Sequence, residues 1–208
     1  MIRFLFYIIV FLFSFTISPA SALDEYDYDW VYELSDSAKK IYDEKIVQVP
    51  CSQLSTLLNR DNNIGAYYAI RDAGIFKDTF CNEYFIKELD RIKKDRNIYD
   101  AYCFYRVRIG DESYLTNLLE SFDKNARRVG DDHTVELFGF LSDWQKSGRR
   151  LVRHASYADG AAAELLCSAI AWRRFLYGED EFKMNWFKIG HEEGVSQKIL
   201  QYFYDTCK

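Results

Sequence analysis

After Trp30 the apolar positions recur at steps of three and four residues, the period of helices that bury one face. Cys81, Phe85, Leu89 and Ile92 make one stripe, with Glu83, Lys87, Asp90 and Lys94 off it. Leu115, Leu118, Leu119 and Phe122 make a second, Leu137, Leu141 and Trp144 a third, and Leu166, Ala169, Ile170 and Leu176 a fourth. Breaks fall at Ala73-Gly74, Ile109-Gly110, Val129-Gly130, Lys146-Ser147-Gly148 and Tyr177-Gly178, where glycine suits a helix end. Asp111 and Glu112 place negative charge where the second stripe begins, which favours a helix amino end. Strand alternation is missing; the one β-flavoured run, Ile46-Val47-Gln48-Val49, meets Pro50 and reads as a connector. The pattern predicts an all-α chain of nine to eleven short helices.

The amino end has a different pattern. Arg3 precedes an almost unbroken apolar run from Phe4 to Ile17, followed by Pro19 and Ala20-Ser21-Ala22. A basic start, a short apolar stretch and small residues at an A-x-A exit describe a secretory signal peptide cut after Ala22. The run falls short of the roughly 20 residues a membrane-spanning helix needs, so no stable insertion is expected after cleavage. The expected organisation is a leader over 1–22, an acidic lead-in with a first helix over 23–50, and a helical repeat domain over 51–208.

Two hexads repeat: Ala66-Tyr67-Tyr68-Ala69-Ile70-Arg71 returns as Ala101-Tyr102-Cys103-Phe104-Tyr105-Arg106. Ala171-Trp172 keeps the small-then-aromatic pair further on, and each copy is followed within a few residues by Gly74, Gly110 or Gly178. A repeat of this length with two helices per unit is the mark of a helical stack. The stretch from Tyr105 to Leu119, with Ile109-Gly110-Asp111 between a helix end and a leucine-striped helix start, resembles a HEAT-like repeat. Arg71-Asp72-Ala73-Gly74 and Tyr177-Gly178-Glu179-Asp180 resemble the same turn. That resemblance implies an α-solenoid, a short stack of antiparallel helix pairs that binds a partner and carries no catalytic residues or cofactor.

Charge and cysteine content narrow the compartment and the partners. The chain has 27 Lys and Arg against 32 Asp and Glu, a formal net charge of −5, and loses one more positive charge with Arg3. An acidic surplus argues against nucleic acid as a partner. The absence of any Asn-x-Ser/Thr sequon leans toward a bacterial periplasm among secreted destinations. All five cysteines, Cys51, Cys81, Cys103, Cys167 and Cys207, follow the leader, where an oxidising space permits disulfides. The odd count leaves at least one thiol without a partner in the chain. Cys81 and Cys103, on successive expected helices, are the expected bridge, and Cys167 reads as a small buried hydrophobe.

Candidate chemistry is sparse. His133, His154 and His191 lack a second ligand at helical spacing, and neither a G-x-S-x-G elbow nor a C-x-x-C pair occurs. The one concentration of positive charge runs from Lys146 through Arg149, Arg150, Arg153 and His154, with Arg106 and Arg108 before it. Guanidinium forks of this kind bind carboxylates or phosphates, and they also serve as helix-end caps and ion-pair partners. The expected function is therefore an exported helical-repeat module that holds a protein or acidic ligand in the extracytoplasmic space, with Arg106, Arg149, Arg150 and Arg153 as contacts. The competing expectation is an all-helical exported hydrolase acting through carboxylates or a metal site centred on His133.

Overall fold

The computed structural model describes residues 33–125 and 133–208. The expected cleavage at Ala22, the acidic lead-in around Trp30 and the break at Val129-Gly130 lie outside the described residues. Those described are helical, with no extended sheet among them. In chain order the helices are α1 (Asp36–Asp43), α2 (Leu54–Asn59), α3 (Asn63–Phe76), α4 (Asn82–Lys87), α5 (Leu89–Ile92) and α6 (Arg96–Arg108). They continue as α7 (Ser113–Asn125), α8 (Thr134–Leu137), α9 (Arg149–Ala155), α10 (Gly160–Tyr177), α11 (Glu179–Glu192) and α12 (Gln197–Thr206). No helix among the described residues is long and apolar enough to cross a membrane.

Local chemistry sets many of the ends. The side chains of Ser35, Asn62 and Asp95 accept from Ala38 N, Gly65 N and Ile98 N and so cap α1, α3 and α6. Between α6 and α7 the chain turns through Gly110 at φ +104°, a value costly for any side chain. Asp111 then accepts from the backbone and hydroxyl of Ser113 and opens α7. The Ile109-Gly110-Asp111 turn is thus present as the sequence predicts. The expected break at Ala73-Gly74 is not: α3 runs through it to Phe76 and ends on Lys77 in the left-handed region. Gly74 is small for another reason, since a Cβ there would meet the Phe104 ring at 2.7 Å and the Tyr105 Cα at 3.1 Å.

The two repeated hexads lie side by side. Asn63 Nδ2 donates to Asp95 Oδ2 (3.0 Å) at their starts, and Arg108 Nε donates to Gly74 O (3.3 Å) at their ends, so α3 and α6 run parallel. Helix α7 folds back antiparallel on α6: Tyr114 meets Tyr102 edge-on, while Ser121 donates to Asp100 (2.7 Å). Asp100 is buried and also accepts from Thr134 Oγ1 (2.7 Å), which ties α6, α7 and α8 through one carboxylate. The core between them is aromatic: Phe85 against Tyr105, Phe122 stacked on Phe138, Phe104 against Phe140. Full burial of each such ring contributes about 1.5–3 kcal/mol.

Two of the expected stripes are broken. Cys81 to Ile92 becomes a 3₁₀ turn, α4 and α5, with Glu88 between the helices accepting from Ser55 Oγ (2.6 Å). Leu137, Leu141 and Trp144 are all buried, yet they lie on α8, a 3₁₀ turn (Phe138–Phe140), extended backbone and a π turn (Trp144–Gly148). Side chains from other helices take the carbonyls there. Arg173 donates to Phe138 O and Leu141 O, and Arg108 (2.7 Å) and the Tyr177 hydroxyl (2.8 Å) donate to Phe140 O. Phe138 O also accepts from Leu141 N (3.3 Å), which closes the 3₁₀ turn, so these donors bind backbone that has left the α-helical ladder.

The cysteine pairing also differs from expectation. Cys81 is bonded to Cys51, not to Cys103, and the bridge ties the segment before α2 to the start of α4. Cys167 is buried but is no bare hydrophobe, because it bridges to Cys207 and pins the carboxyl end to α10. Cys103 is the unpaired thiol. Burial, then the Asp100 carboxylate, pushes it up from an ordinary 9.0 to about 12. Only a thiolate attacks efficiently, so in native protein at pH 8 Cys103 is expected to react with a thiol reagent about 100-fold more slowly than in urea. Labelling at the same rate in both states would contradict this.

Alkaline stability follows from the same burial. Tyr105 is raised from 10.0 to about 12 by burial, then by Asp78. An acid with a raised folded pKa contributes stability that is complete below its unfolded value and lost as pH climbs to its folded one. Up to pH 12, Cys103 from about pH 9 and Tyr105 from about pH 10 should each remove up to about 1.4 kcal/mol per pH unit, readable as a falling urea midpoint.

Candidate functional site

The expected contact residues are largely committed inside the molecule. On α9, Arg149 bonds Glu192 (2.7 Å), Gln145 (3.0 Å) and Glu193, and Arg153 bonds Glu193 as well. Arg150 forks onto both oxygens of Asp123 at 2.8 and 2.5 Å. Arg106 pairs with Asp111 (2.6 Å) at the α6–α7 turn, reaches the Tyr102 hydroxyl and lies over the Tyr114 ring. These four guanidiniums fasten α9 to α7 and to the end of α11, and close the α6–α7 turn.

Hydrogen bonds from Arg153, then from Arg149, hold the Glu193 carboxyl below its ordinary value. A depressed carboxyl contributes stability above its unfolded pKa and loses it as pH falls through the folded one. Glu193→Gln is therefore expected to cost about 1 kcal/mol at pH 7, because Arg153 is half exposed and water screens the pair. The cost should vanish in acid, where wild type is itself protonated. Thermal melts at pH 7 and at about pH 2 measure it; an equal difference at both would contradict the ion-pair account.

A more open feature lies where α3 and α6 begin. Asn63, Ile64, Tyr67, Tyr68, Asp95, Asn97 and His133 line a cleft of about 60 Å³. It meets a wider polar groove of about 280 Å³ along Asp61, Arg91 and Lys94, with Asn63 and Asp95 common to both. The parallel setting of α3 and α6 creates this junction, since it brings both amino ends and their Asn and Asp caps to one side. Asp95 serves both helices, accepting from Ile98 N and from Asn63 Nδ2.

The aromatic wall is held from behind. Tyr67 is buried, its ring 5.1 Å from the His133 ring, and its hydroxyl donates to His133 O (3.4 Å). Burial, then Glu136, raises Tyr67 well above the usual phenol range, so it remains neutral. Tyr68 meets Tyr67 edge-on and carries Arg71 over its face at 4.5 Å. Arg71 in turn bonds Asp72 (2.9 Å) and faces Glu136 (3.6 Å). Ile64 is 69% exposed at the rim. Amides, a carboxylate and an imidazole around tyrosine edges can hydrogen-bond and pack against an elongated polar ligand.

The histidines separate by place. His133, the centre of the expected metal site, belongs to this wall; Asp132 beside it lies outside the described residues. His154 is buried between the Phe122 and Tyr157 rings, and His191 is exposed at the end of α11. Among the described residues, Cys51, Asp78 and Cys81 bring metal-capable atoms within 4.8 Å, but both sulfurs are spent in their own disulfide. The sequence flagged Tyr67 and Tyr68 only as part of a repeat. Asn63, Asp95 and Asn97 carried no signal beyond helix-start residue types.

No family model, curated protein or solved structure matches this chain.

Proposed function

We propose that the chain is an exported, non-catalytic binding module, built as a short solenoid of helix pairs in the HEAT-like manner. Its partner is a protein of the extracytoplasmic space. The parallel setting of α3 and α6, each with a repeated hexad, and the antiparallel return of α7 support the solenoid reading. Two cysteine pairs in bonding geometry support export to an oxidising compartment after removal of the leader.

The observation that carries the binding reading is the groove across the amino ends of α3 and α6. Its polar groups of both signs and its exposed Ile64 suit a polypeptide with backbone and side-chain hydrogen bonds to offer. This moves the expected contact away from the α9 arginines, each of which is already paired with a carboxylate of the chain.

The test uses tagged full-length protein recovered with its partner from cells that export it. The pair Ile64→Asp and Asn97→Lys should lose capture, while Arg150→Gln with Arg153→Gln should keep it. Capture that survives the first pair and fails with the second would return the contact to α9. Capture unaffected by either would remove both assignments.

A further inference from the structure

Helix α1 lies on the body in an unusual way. Ser35 caps it, and Ala38, Ile41 and Tyr42 line one face at steps of three and four, yet none of its residues is buried. An isolated helix of eight residues is too short to be stable in water. Its helical state therefore depends on the seat beneath it.

That seat is an aromatic groove between α3 and α10. The Tyr42 ring stands 6.2 Å from Phe76, 5.7 Å from Trp172 and 5.8 Å from Phe175. The floor does not need α1 for its own support: Trp172 packs at 4.8 Å on Phe140, which packs on Phe104 in the core. Nor does α1 fill the groove. A space of about 80 Å³ remains between Ala38, Ile41 and Ile46 above and Asp72, Ile75 and Trp172 below.

The fastenings sit at the ends of the segment. At one end Leu34 is buried and its N–H donates to Lys208 O (2.7 Å). At the other, Gln48 N donates to Asp72 Oδ2 (3.2 Å), just before the Cys51–Cys81 bridge. Between these anchors, Lys45 has a left-handed backbone, and Ile46 and Val47 are 44% and 40% exposed. A lightly seated, amphipathic, end-tethered helix over a preformed aromatic floor has the form of a self-ligand.

We propose that α1 is a displaceable strap, and that the groove beneath it docks an amphipathic helix of another protein through an aliphatic–aromatic pair. The incoming pair takes the places of Ile41 and Tyr42, as helix-in-groove recognition requires. The seated α1 is the template for that ligand class: an exposed polar face and an apolar stripe with one aromatic. A longer helix adds a further turn of anchors and fills the space α1 leaves. The tether makes α1 a competitor at an effective concentration of about a millimolar, so the groove opens only to a ligand that outbids it. This site is separate from the groove at the starts of α3 and α6, and either assignment can fail alone.

The test has two parts, both on the full chain. In hydrogen exchange, amides of Lys39 to Asp43 should exchange about 100-fold faster than those in the middle of α3 and α10. Equal protection would make α1 an integral helix and overturn the proposal. Next, a labelled peptide with the sequence of residues 33–50 serves as the helix probe. Tyr42→Ala, which takes the ring out of the aromatic groove, should bind it about tenfold more tightly than wild type, and adding Trp172→Ala should abolish binding. If Tyr42→Ala loses native protection in α3 and α10, Ile41→Ser replaces it. No binding by a folded strap variant overturns the proposal. So does a concentration-dependent dimer in which the α1 helices exchange between copies, because the occupant is then a second copy of this chain.

Discussion

Replacing Arg173 by alanine is expected to cost the fold about 3–5 kcal/mol, one of the largest effects available from a single side chain. Arg173 is fully buried on α10. Its guanidinium lies 4.4 Å over the Trp144 ring and donates to Phe138 O, Leu141 O and Ser147 Oγ (2.7 Å). No carboxylate ion-pairs with it among the described residues, and burial holds its pKa down to about 10. The buried cation itself is therefore a burden at neutral pH. The directed hydrogen bonds offset that burden: Arg173 supplies the donor to Leu141 O and Ser147 Oγ and a second donor to Phe138 O, beside Leu141 N. Arg173→Met separates the two terms. It removes the buried charge and keeps the volume, but takes the donor from Leu141 O and leaves Phe138 O with Leu141 N alone, and should cost roughly 2 kcal/mol. Urea unfolding of the three proteins at pH 7 measures this; Arg173→Met as stable as wild type would show that the carbonyls have no need of the guanidinium.

The same residue explains where the sequence misleads. Leu115, Leu118, Leu119 and Phe122 follow the helical period, and α7 buries all four, because the helix and its turn are set by residues within one or two turns of each other. Leu137, Leu141 and Trp144 follow the period equally well and are not on one helix. The Phe138, Phe140 and Leu141 carbonyls find side-chain donors on Arg108, Arg173 and Tyr177, 32 or more residues away, and periodicity within a short window has no means of registering such partners. The arginine cluster shows the same limit: four basic residues are visible in the chain, while Asp123, Glu192 and Glu193, which neutralise α9, become neighbours only on folding. Cysteine pairing is worse placed still, because adjacency of helices does not say which side faces which. Cys103 looks inward from α6 beside Asp100, whereas Cys81 turns toward the segment before α2. The two matching hexads are visible in the sequence, but the groove at the starts of α3 and α6 depends on those helices running parallel, which their sequences leave undetermined.

The Cys167–Cys207 bridge sets up the second large effect. It joins residues 40 apart and holds the end of α12 to α10. Cross-linking a loop of this size restricts the unfolded chain, so Cys167→Ala with Cys207→Ala is expected to cost about 2–4 kcal/mol. For a chain of this length that lowers the melting temperature by roughly 5–15 °C. The helix does not detach at once, since other bonds remain. Arg174 Nη1 donates to Tyr204 O and Cys207 O (2.6 Å each), its other nitrogens fork onto Glu179, and Trp186 Nε1 donates to Leu200 O (3.0 Å). Those bonds predict a local pattern on top of the global loss: amides of α12 lose protection first, while α3 and α6, on the far disulfide's side, follow only the global drop. Calorimetry and residue-resolved hydrogen exchange on the double variant test both parts. An unchanged melting temperature would mean that Arg174 and Trp186 alone anchor the carboxyl end and that the bridge adds nothing. A uniform loss of protection would mean instead that α12 unfolds only with the rest of the body.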